Sequence, residues 1–487
     1  MKELIPQIFW EKYKKMLSSS EFEAFKEASL KPLRKSIRIN TLKISVDDFK
    51  KEAKKLQWKL KPIPWCKNGF WIEREDRSEP LGKSLLHLLG YFYIQEASSM
   101  IPPEVLKPKK DDIILDMSSA PGSKTTQIAA LMQNSGIIVA NEPEGSRIKA
   151  LHSNIERLGV ANTLISQKDG RAFSEYFSNF FDKILLDAPC SGEGTIRKDS
   201  SALEHWNEKR VEVMSRLQKD LIAHAFMALK PGGEMVYSTC TLSPEEDEEV
   251  LEFLLETCEG NAELLPIELS HEILRQTQGL YPTRSENKQL KDSGILKIWP
   301  QTYDTEGFFI AKIKKNFPTE SGNFQKNRRN SPFVPVSKGT ISWIDTHLNE
   351  LFGVPEITKY IVKNTIFQRG DEVWIRPEKF EHIAQMMSLN NGGVLFCKRH
   401  KEKLQLTHEG AMFLIQSHFI PQKSVIDITT EELQEYMKGK NISITAVNEH
   451  ESKKSNYVFI QHKNFFVGIG KIIGNKIKNL LPRNLVH

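Results

Sequence analysis

The chain of 487 residues is poor in cysteine, and the number and spacing of its cysteines argue against a fold held together by disulfides or by structural zinc. No two cysteines are separated by two residues, so a structural zinc site is not expected and no metal is predicted. An odd, sparse set in a long chain also excludes a disulfide framework, and we expect reduced thiols. The cysteines are Cys66, Cys190, Cys240, Cys258 and Cys397.

Long apolar runs are lacking as well. No segment approaches the roughly 20 apolar residues needed to cross a bilayer, and the charged residues 1–14 do not form the apolar core of a signal peptide. Hydrophobic residues make up 39% and charged residues 27% of the chain, which excludes a disordered protein. We therefore expect a cytoplasmic protein of roughly three domains that does not contact a membrane. A monomer is expected as well, although these features do not reveal the oligomeric state.

The net charge of +6 is small, but it is unevenly distributed. Residues 452–487 contain seven Lys or Arg and no Asp or Glu, and residues 31–61 contain eleven Lys or Arg against three acids. Two basic segments, Lys31–Lys61 and Lys453–Arg483, therefore indicate an anionic partner, of which nucleic acid is the commonest. For residues 46–56, a solvated amphipathic helix is the alternative interpretation. Residues 243–263 contain nine acids and no base, which predicts a solvent-facing acidic helix.

Between residues 111 and 315, short apolar runs alternate with helical patterns, and this alternation predicts an α/β fold with a doubly wound parallel sheet. Residues 316–338 are poor in apolar side chains and predict a linker between this domain, residues 76–315, and a β-rich region, residues 339–487. Residues 1–75 form a separate N-terminal region. The predicted strands are Ile113–Met117, Ile137–Asn141, Thr163–Ser166, Ile184–Asp187, Met235–Ser238, Ile295–Trp299 and Gly307–Ile313, and the predicted helices are Lys124–Met132, Ser146–Leu158 and Val211–Leu229.

A turn of small residues follows the first predicted strand of this sheet. Small residues at this position let a ligand approach the backbone and the free N–H groups of the following helix. Neither the GxGxxG pattern nor the P-loop pattern is present, so a dinucleotide or a triphosphate is not favoured. The turn predicts a site for a nucleoside-containing cofactor, with an ordinary strand–helix turn as the alternative. Its residues are Ser118, Ser119, Ala120, Pro121, Gly122, Ser123 and Lys124.

Three acidic residues lie at the ends of consecutive predicted strands. Glu142 ends the second strand, at the distance from the glycine turn that is typical of a ribose-binding acid. Asp169 follows the third strand and Asp187 ends the fourth. Each of the last two could instead be a helix cap, but all three would face one crevice of a parallel sheet.

Two cysteines lie in polar turns after the fourth and fifth predicted strands. Cys190 follows Asp187-Ala-Pro, and Cys240 follows Ser238-Thr. A structural cysteine prefers an apolar core, whereas a cysteine in a polar turn can act as a thiolate nucleophile. After Cys240, the segment Ser243-Pro-Glu-Glu246 matches a capping box, which predicts that a helix begins at Pro244.

Together, these motifs resemble those of the Sun/fmu-type RNA 5-methylcytosine methyltransferases. The resemblance covers about residues 31–315, where several motifs occur in order, and the C-terminal segment Lys471–Asn479 is similar to the RsmF branch of that family. The motifs are Ser36–Leu42, Tyr93–Ser99, Asp116–Thr125, Asp187–Gly194, Ser238–Glu248, Trp299-Pro300 and Thr305–Ile310. Where family members often carry Cys-Ala-Ala or Ala-Ala-Ala, this chain has Ser118-Ser-Ala120.

The resemblance implies a Rossmann-like class I methyltransferase domain, an N-terminal RNA-binding region and a C-terminal PUA-like RNA-binding domain. It implies S-adenosyl-L-methionine as the cofactor, held by residues 118–124, Glu142, Asp169 and Asp187. It also implies Cys240 as the nucleophile that attacks carbon 6 of cytosine, Cys190 as an aid to product release, and Asp187 as a contact to the cytosine edge or the cofactor. The RsmF branch methylates 16S ribosomal RNA of the small subunit.

Three alternatives remain open from the sequence. Transfer RNA is another possible substrate, and a non-catalytic RNA-binding factor in ribosome assembly would carry the same basic segments. A nicotinamide-dependent oxidoreductase would share the sheet, but the chain lacks its glycine fingerprint.

Overall fold

The computed structural model describes residues 5–204, 206–269, 290, 294–320, 331–356, 365–377, 379–387, 391–401, 403–443 and 456–486. The predicted linker is described only at its two ends, and Lys453 and Lys454 of the second basic segment lie outside the described residues. Within these ranges, no helix is long and apolar enough to cross a membrane, and no cluster of His, Cys, Asp and Glu side chains could hold a metal ion.

The N-terminal part is a four-stranded antiparallel sheet flanked by helices, with the strand order β2-β3-β1-β4. Since β4 pairs with β1, the boundary predicted after residue 75 falls inside this sheet. Phe49 and Ala53 are the buried residues of α3, so this segment is an amphipathic helix. The elements are α1 (Gln7–Met16), α2 (Ser19–Ser29), β1 (Ser36–Ile39), α3 (Val46–Lys55), β2 (Trp58–Ile63), β3 (Cys66–Arg74), α4 (Leu85–Leu88), β4 (Phe92–Ile94) and α5 (Ile101–Leu106).

The central sheet has the order β10-β12-β9-β8-β5-β6-β7, with β11 paired to β12. Strands β9, β8, β5, β6 and β7 are parallel, and β12 is antiparallel to β9. The doubly wound α/β prediction is therefore confirmed. The elements are β5 (Ile113–Asp116), α6 (Ser123–Leu131), β6 (Ile137–Asn141), α7 (Gly145–Leu158), β7 (Thr163–Ser166), α8 (Phe173–Tyr176), β8 (Phe181–Asp187), α9 (Glu208–Ala228), β9 (Leu229–Thr239), α10 (Glu248–Thr257), β10 (Ala262–Leu264), β11 (Ile295–Ile298), α11 (Pro300–Tyr303) and β12 (Phe308–Lys315).

The chain direction in this sheet decides where a ligand binds. Strand β5 lies between β6 on one side and β8 on the other. The connections therefore diverge at β5, and the carboxyl ends of the strands open there into a crevice. The side chains between the sheet and its helices are apolar and almost fully buried, for example Leu115, Val139 and Leu186. This core holds the strand ends in fixed positions.

The prediction that a helix begins at Pro244 is wrong. Helix α10 begins at Glu248, and no side chain caps it. The prediction of a solvent-facing acidic helix is also wrong for its first turn, because Glu246 and Asp247 are fully buried and Glu248 is 8% exposed. Buried carboxylates persist only when they are paired; Asp247 accepts a hydrogen bond from Thr239 and forms an ion pair with Lys297.

The C-terminal part adds two five-stranded sheets, β13-β14-β15-β17-β18 and β19-β21-β22-β23-β20. One short strand of this part, β16, leaves these sheets and pairs with β7 of the central sheet. The elements are β13 (Val334–Pro335), α12 (Lys338–Phe352), β14 (Thr365–Arg369), β15 (Glu372–Arg376), α13 (Phe380–Met387), β16 (Asn391–Gly392), β17 (Val394–His400), β18 (Lys403–Leu406), α14 (His408–Gln416), β19 (Val425–Asp427), α15 (Thr430–Met437), β20 (Ile442–Ser443), β21 (Tyr457–His462), β22 (Phe465–Ile473) and β23 (Lys476–Asn479).

Candidate functional site

The two cysteines in polar turns meet at the carboxyl ends of β8 and β9. The strands are parallel neighbours with Asp187 opposite Ser238, so the turns that follow them lie side by side. The sulfur atoms of Cys190 and Cys240 are 3.1 Å apart, and both residues are partly exposed. The hydrogen bond with Cys240, together with burial, raises the pKa of Cys190 well above its usual value. The contact between the sulfurs therefore disfavours the thiolate form of Cys190.

A buried ion pair lies beside these thiols. Lys124 Nζ donates to Asp187 Oδ2 at 2.6 Å, and Ser238 Oγ donates to Asp187 Oδ1 at 2.8 Å. Burial opposes the charge on Lys124, but the neighbouring Asp187 outweighs it with help from Cys240, so the pKa of Lys124 is raised. The site thus holds a permanent cation, and both Asp187 oxygens accept hydrogen bonds.

The turn of small residues leads from β5 into α6. Gly122, the residue before this helix, has φ +103°, a left-handed conformation that glycine adopts without strain. Ser119 ties the turn to the next strand, because its N and Oγ atoms donate to the Asn141 carbonyl at 2.8 and 2.9 Å. Helix α6 begins directly after this turn, and the N–H groups of a helix's first turn can donate to a ligand.

Two carboxylates at this crevice carry an oxygen without a hydrogen-bond donor. Asp116 accepts from Thr125 Oγ1 at 2.6 Å, but its other oxygen is buried and has no partner; burial raises the pKa of Asp116 to about 7. Glu142 is 1% exposed, and its Oε2 lies 3.2 Å from Arg147 without forming a hydrogen bond. Such buried acceptors fit a ligand that brings hydroxyl or amine donors, as a nucleoside with an amino acid chain does.

Asp169 is placed differently from Glu142. Its side chain accepts from Arg171 N and caps a short 3₁₀ helix, Gly170–Ala172. The hydrogen bond from the Arg171 side chain lowers the pKa of Asp169, and the two form an ion pair of 2.6 Å with both side chains about half exposed. The helix cap that is one of the two interpretations of Asp169 is therefore present.

Behind the cysteine turns lies a buried acidic network that the sequence did not reveal. Glu246 accepts from Ser191 N at 2.8 Å and from Gln218 Nε2 at 3.0 Å, and Thr241 Oγ1 lies 3.1 Å from it. It therefore joins the Cys190 turn, helix α9 and the Cys240 turn. The acidic run after Cys240 is its sequence signal, but the local pattern predicts solvated surface there.

A second acid, Glu193, fixes the same turns from the other side. It accepts from Trp206 Nε1 at 2.8 Å and from Ser243 Oγ at 3.0 Å, and it forms a very short hydrogen bond with Tyr13 of α1. The N-terminal helices thus take part in shaping the site, because Tyr13 packs within a buried aromatic cluster that reaches Trp299.

Part of the first basic segment is structural. Arg38 is 2% exposed, and its guanidinium donates to Gln95 and to Thr126 of α6, both at 2.8 Å. Lys43 donates to the carbonyls of Leu89 and Arg157, and burial lowers its pKa to about 7. The expectation that the whole segment 31–61 faces an anionic partner is therefore wrong at these two residues.

Comparisons with known protein families and relatives agree with this arrangement of thiols, ion pair and crevice. Family models match residues 5–97, 103–314 and 423–487, described as the N-terminal domain of 16S rRNA methyltransferase RsmF, 16S rRNA methyltransferase RsmB/F and the methyltransferase RsmF PUA domain. The ribosomal RNA small subunit methyltransferase F of Vibrio parahaemolyticus is 41% identical over 99% of this chain and 98% of that protein. The chain belongs to the RsmB/F family of 16S rRNA methyltransferases.

Other relatives of this RsmB/F chain agree. The Shewanella oneidensis protein of the same name is 41% identical over 96% of this chain and 94% of its own length. A solved methyltransferase homolog from Pyrococcus horikoshii is 36% identical, with a TM-score of 0.54, over 64% of this chain and 95% of that one. NSun6 from Pyrococcus horikoshii, solved with SFG, is 27% identical, with a TM-score of 0.55, over 65% and 99% of the two chains. The family resemblance and the Rossmann-like fold with a C-terminal PUA domain are confirmed.

Proposed function

We propose that this protein uses S-adenosyl-L-methionine to methylate carbon 5 of a cytosine in 16S ribosomal RNA of the small subunit. The observation that carries the proposal is the pair of thiols 3.1 Å apart beside the buried Lys124–Asp187 ion pair. Carbon 5 of cytosine is a poor nucleophile, so its methylation needs a thiolate that adds to carbon 6. Two thiols in contact fit a reaction that forms and then breaks a covalent bond, because one sulfur can bond to the base while Cys190 keeps its proton.

The crevice holds the cofactor in this proposal. The turn 118–124 offers backbone N–H groups, Glu142 takes the ribose hydroxyls, and Asp116, Asp169 and Asp187 line the remaining edge. When bound, S-adenosyl-L-methionine supplies the electrophilic methyl group. The methyltransferase family and a related structure with SFG support its use.

The chemistry on the base divides between the cysteines and the ion pair. Cys240 attacks carbon 6, and the electron density gained by the ring makes carbon 5 nucleophilic. Asp187 accepts a hydrogen bond from the cytosine amino group, because Lys124 and Ser238 already orient its carboxylate. A base then takes the carbon-5 proton, the bond between carbon 6 and the Cys240 sulfur breaks, and Cys190 assists by passing its own proton to the departing sulfur.

RNA would be held by the regions on either side of the catalytic domain. The exposed lysines of residues 31–61 and the PUA-like part of residues 339–487 bind phosphates, and residues 316–338 link that part to the domain. The target base must leave its stack to reach both Cys240 and the methyl group, so a loop or a strained helix is the preferred substrate. We infer a monomer that acts in the cytoplasm, where its ribosomal substrate is assembled.

The test is transfer of tritium from labelled S-adenosyl-L-methionine to RNA, followed by bisulfite mapping of the product. We expect label in small-subunit RNA at one cytosine, present in cells with the protein and lost without it. Label found only in transfer RNA would show that transfer RNA, and not 16S ribosomal RNA, is the substrate. RNA binding without any transfer would establish the non-catalytic assembly factor instead, and Cys240→Ala is the control that separates true transfer from contamination.

A further inference from the structure

A carboxyl group close to the thiols has no role in the reaction described so far. Glu306 precedes β12 and is 4% exposed. Its Oε1 atom is buried and lacks a hydrogen-bond partner. A buried polar atom without a partner is unfavourable, so such an atom beside a catalytic site points to a ligand that satisfies it.

The backbone places Glu306 next to the nucleophile. Gly194 N donates to the Cys240 carbonyl at 2.8 Å, and Gly307 N donates to the Gly194 carbonyl at 3.1 Å. Phe308, two residues after Glu306, lies under Lys124, with Nζ 5.3 Å from the ring centre. The segment 306–308 therefore forms one wall of the space that contains Cys240 and the Lys124–Asp187 pair.

The charged groups that face Glu306 are Glu96, Lys198, Lys124 and Arg197. Burial, and after it the repulsion from Glu96, raises the pKa of Glu306 to about 8, against the attraction of the three cations. One Glu96 oxygen accepts from Ser98 N and Ser99 N, and the other accepts from Glu306 N. At neutral pH, Glu306 is thus a carboxylic acid that can donate a hydrogen bond.

We propose that Glu306 contacts the target nucleotide and donates a hydrogen bond to the N3–O2 edge of the cytosine that Cys240 attacks. This inference rests on the proposed function. Addition of a thiolate to carbon 6 sends negative charge to N3 and O2, and a donor placed there stabilises the transition state. Asp187 cannot supply that donor, since both of its oxygens accept hydrogen bonds from Lys124 and Ser238.

The experiment compares single-turnover methyl transfer by the full-length protein, Glu306→Gln and Glu306→Ala between pH 7 and 9.5, on the RNA that the wild type methylates. Glutamine keeps a donor at every pH, so Glu306→Gln should retain activity within about threefold at pH 7. The wild-type rate, divided by that of Glu306→Gln, should fall about eightfold between pH 7.5 and 9, as the acid ionises around pH 8. Glu306→Ala should lose at least about tenfold throughout.

A second variant tests the same group without touching it. Glu96→Gln removes the charge that repels ionised Glu306, so the fall in the wild-type ratio should move to lower pH. Melting temperature and S-adenosyl-L-methionine affinity of each variant serve as controls for folding. A pH profile that is the same for wild type and Glu306→Gln, or that does not move in Glu96→Gln, would overturn the inference while leaving the methyltransferase proposal intact; a wild type without any transfer would defeat that proposal itself.

Discussion

The sulfur atoms of Cys190 and Cys240 lie 3.1 Å apart although 50 residues separate them in the chain. They meet because β8 and β9 are parallel neighbours and each cysteine follows its strand by a few residues. The Cys240 carbonyl accepts from Gly194 N, so a backbone hydrogen bond joins the two turns. In the proposed reaction, one nucleotide would meet both thiols at this place.

Replacing each cysteine should separate the two halves of the reaction. We expect Cys240→Ala to abolish methyl transfer, because no covalent bond to carbon 6 can form. We expect Cys190→Ala to retain that bond and to accumulate an RNA–protein adduct, visible as a retarded band on a denaturing gel. Methyl transfer at the wild-type rate by Cys240→Ala would defeat the assignment of the nucleophile. Cys258→Ala, remote from the two turns, is the matched control.

The Lys124–Asp187 pair should be essential for rate and costly to break. Asp187→Asn keeps the shape of the side chain but leaves Lys124, whose side chain is 9% exposed, without its counter-ion. We expect a loss of about 10²–10³ in kcat and a destabilisation of about 3 kcal/mol. Lys124→Met should lower kcat by a similar factor. Exposed Lys149→Met carries the same change of charge on the next helix and should change neither; equal effects of the two lysine variants would refute a specific role for Lys124.

Neighbouring glutamates should differ sharply in their contribution to stability. Glu246 is fully buried and joins the two cysteine turns to α9, so Glu246→Gln leaves donors unsatisfied and should cost about 1–3 kcal/mol. Glu245 is 37% exposed and pairs with Lys12, so Glu245→Gln should cost under about 1 kcal/mol. Urea unfolding measures both free energies. Equal costs would mean that the buried network does not hold the turns.

Asp116 should make stability depend on pH. Its pKa in the folded protein is about 7, above the value of about 4 in an unfolded chain. The folded state therefore binds the proton more tightly, and this contribution is complete below about pH 4 and lost as pH rises through 7. Relative to Asp116→Asn, which cannot ionise, the wild type should lose up to about 4 kcal/mol of unfolding free energy between pH 4 and 8. Exposed Asp111→Asn is the control, and parallel pH curves for wild type and Asp116→Asn would contradict the prediction.

The first basic segment should divide into structural and RNA-binding residues. Lys50, Lys54 and Lys59 are exposed on α3 and β2. When all three are changed to Gln, the slope of the logarithm of RNA affinity against the logarithm of salt concentration should become shallower by up to about three. Arg38→Met should leave that slope unchanged but destabilise the protein and weaken cofactor binding, since Arg38 holds α6 through Thr126. Filter binding between 50 and 300 mM salt, roughly, measures the slopes. If Arg38→Met lowered the slope as much as the lysine variant, Arg38 would be a phosphate contact after all.

The local sequence predicted the strands of the central sheet and the turns that carry the candidate site residues. Ile137–Asn141 and Thr163–Ser166 are strands at the predicted bounds, because continuous apolar runs between glycine, asparagine and charged residues have few other stable structures. The turn after β5, and the cysteines after β8 and β9, were also visible, since parallel strands place their carboxyl ends at one edge. The family motifs then pointed from this edge to methyl transfer.

Only the tertiary structure decided which charges are surface and which are interior. The sequence pattern predicts that the acidic run after Cys240 is exposed to solvent. In the structure, Glu246 and Asp247 are buried, and other elements of the fold bring hydrogen-bond donors to them. In the same way, the sequence pattern predicts that Arg38 lies on a basic surface, whereas in the structure it is buried and links the N-terminal sheet to helix α6. The physical reason is that a charge is buried only when partners distant in the chain satisfy it, and no local pattern records those partners.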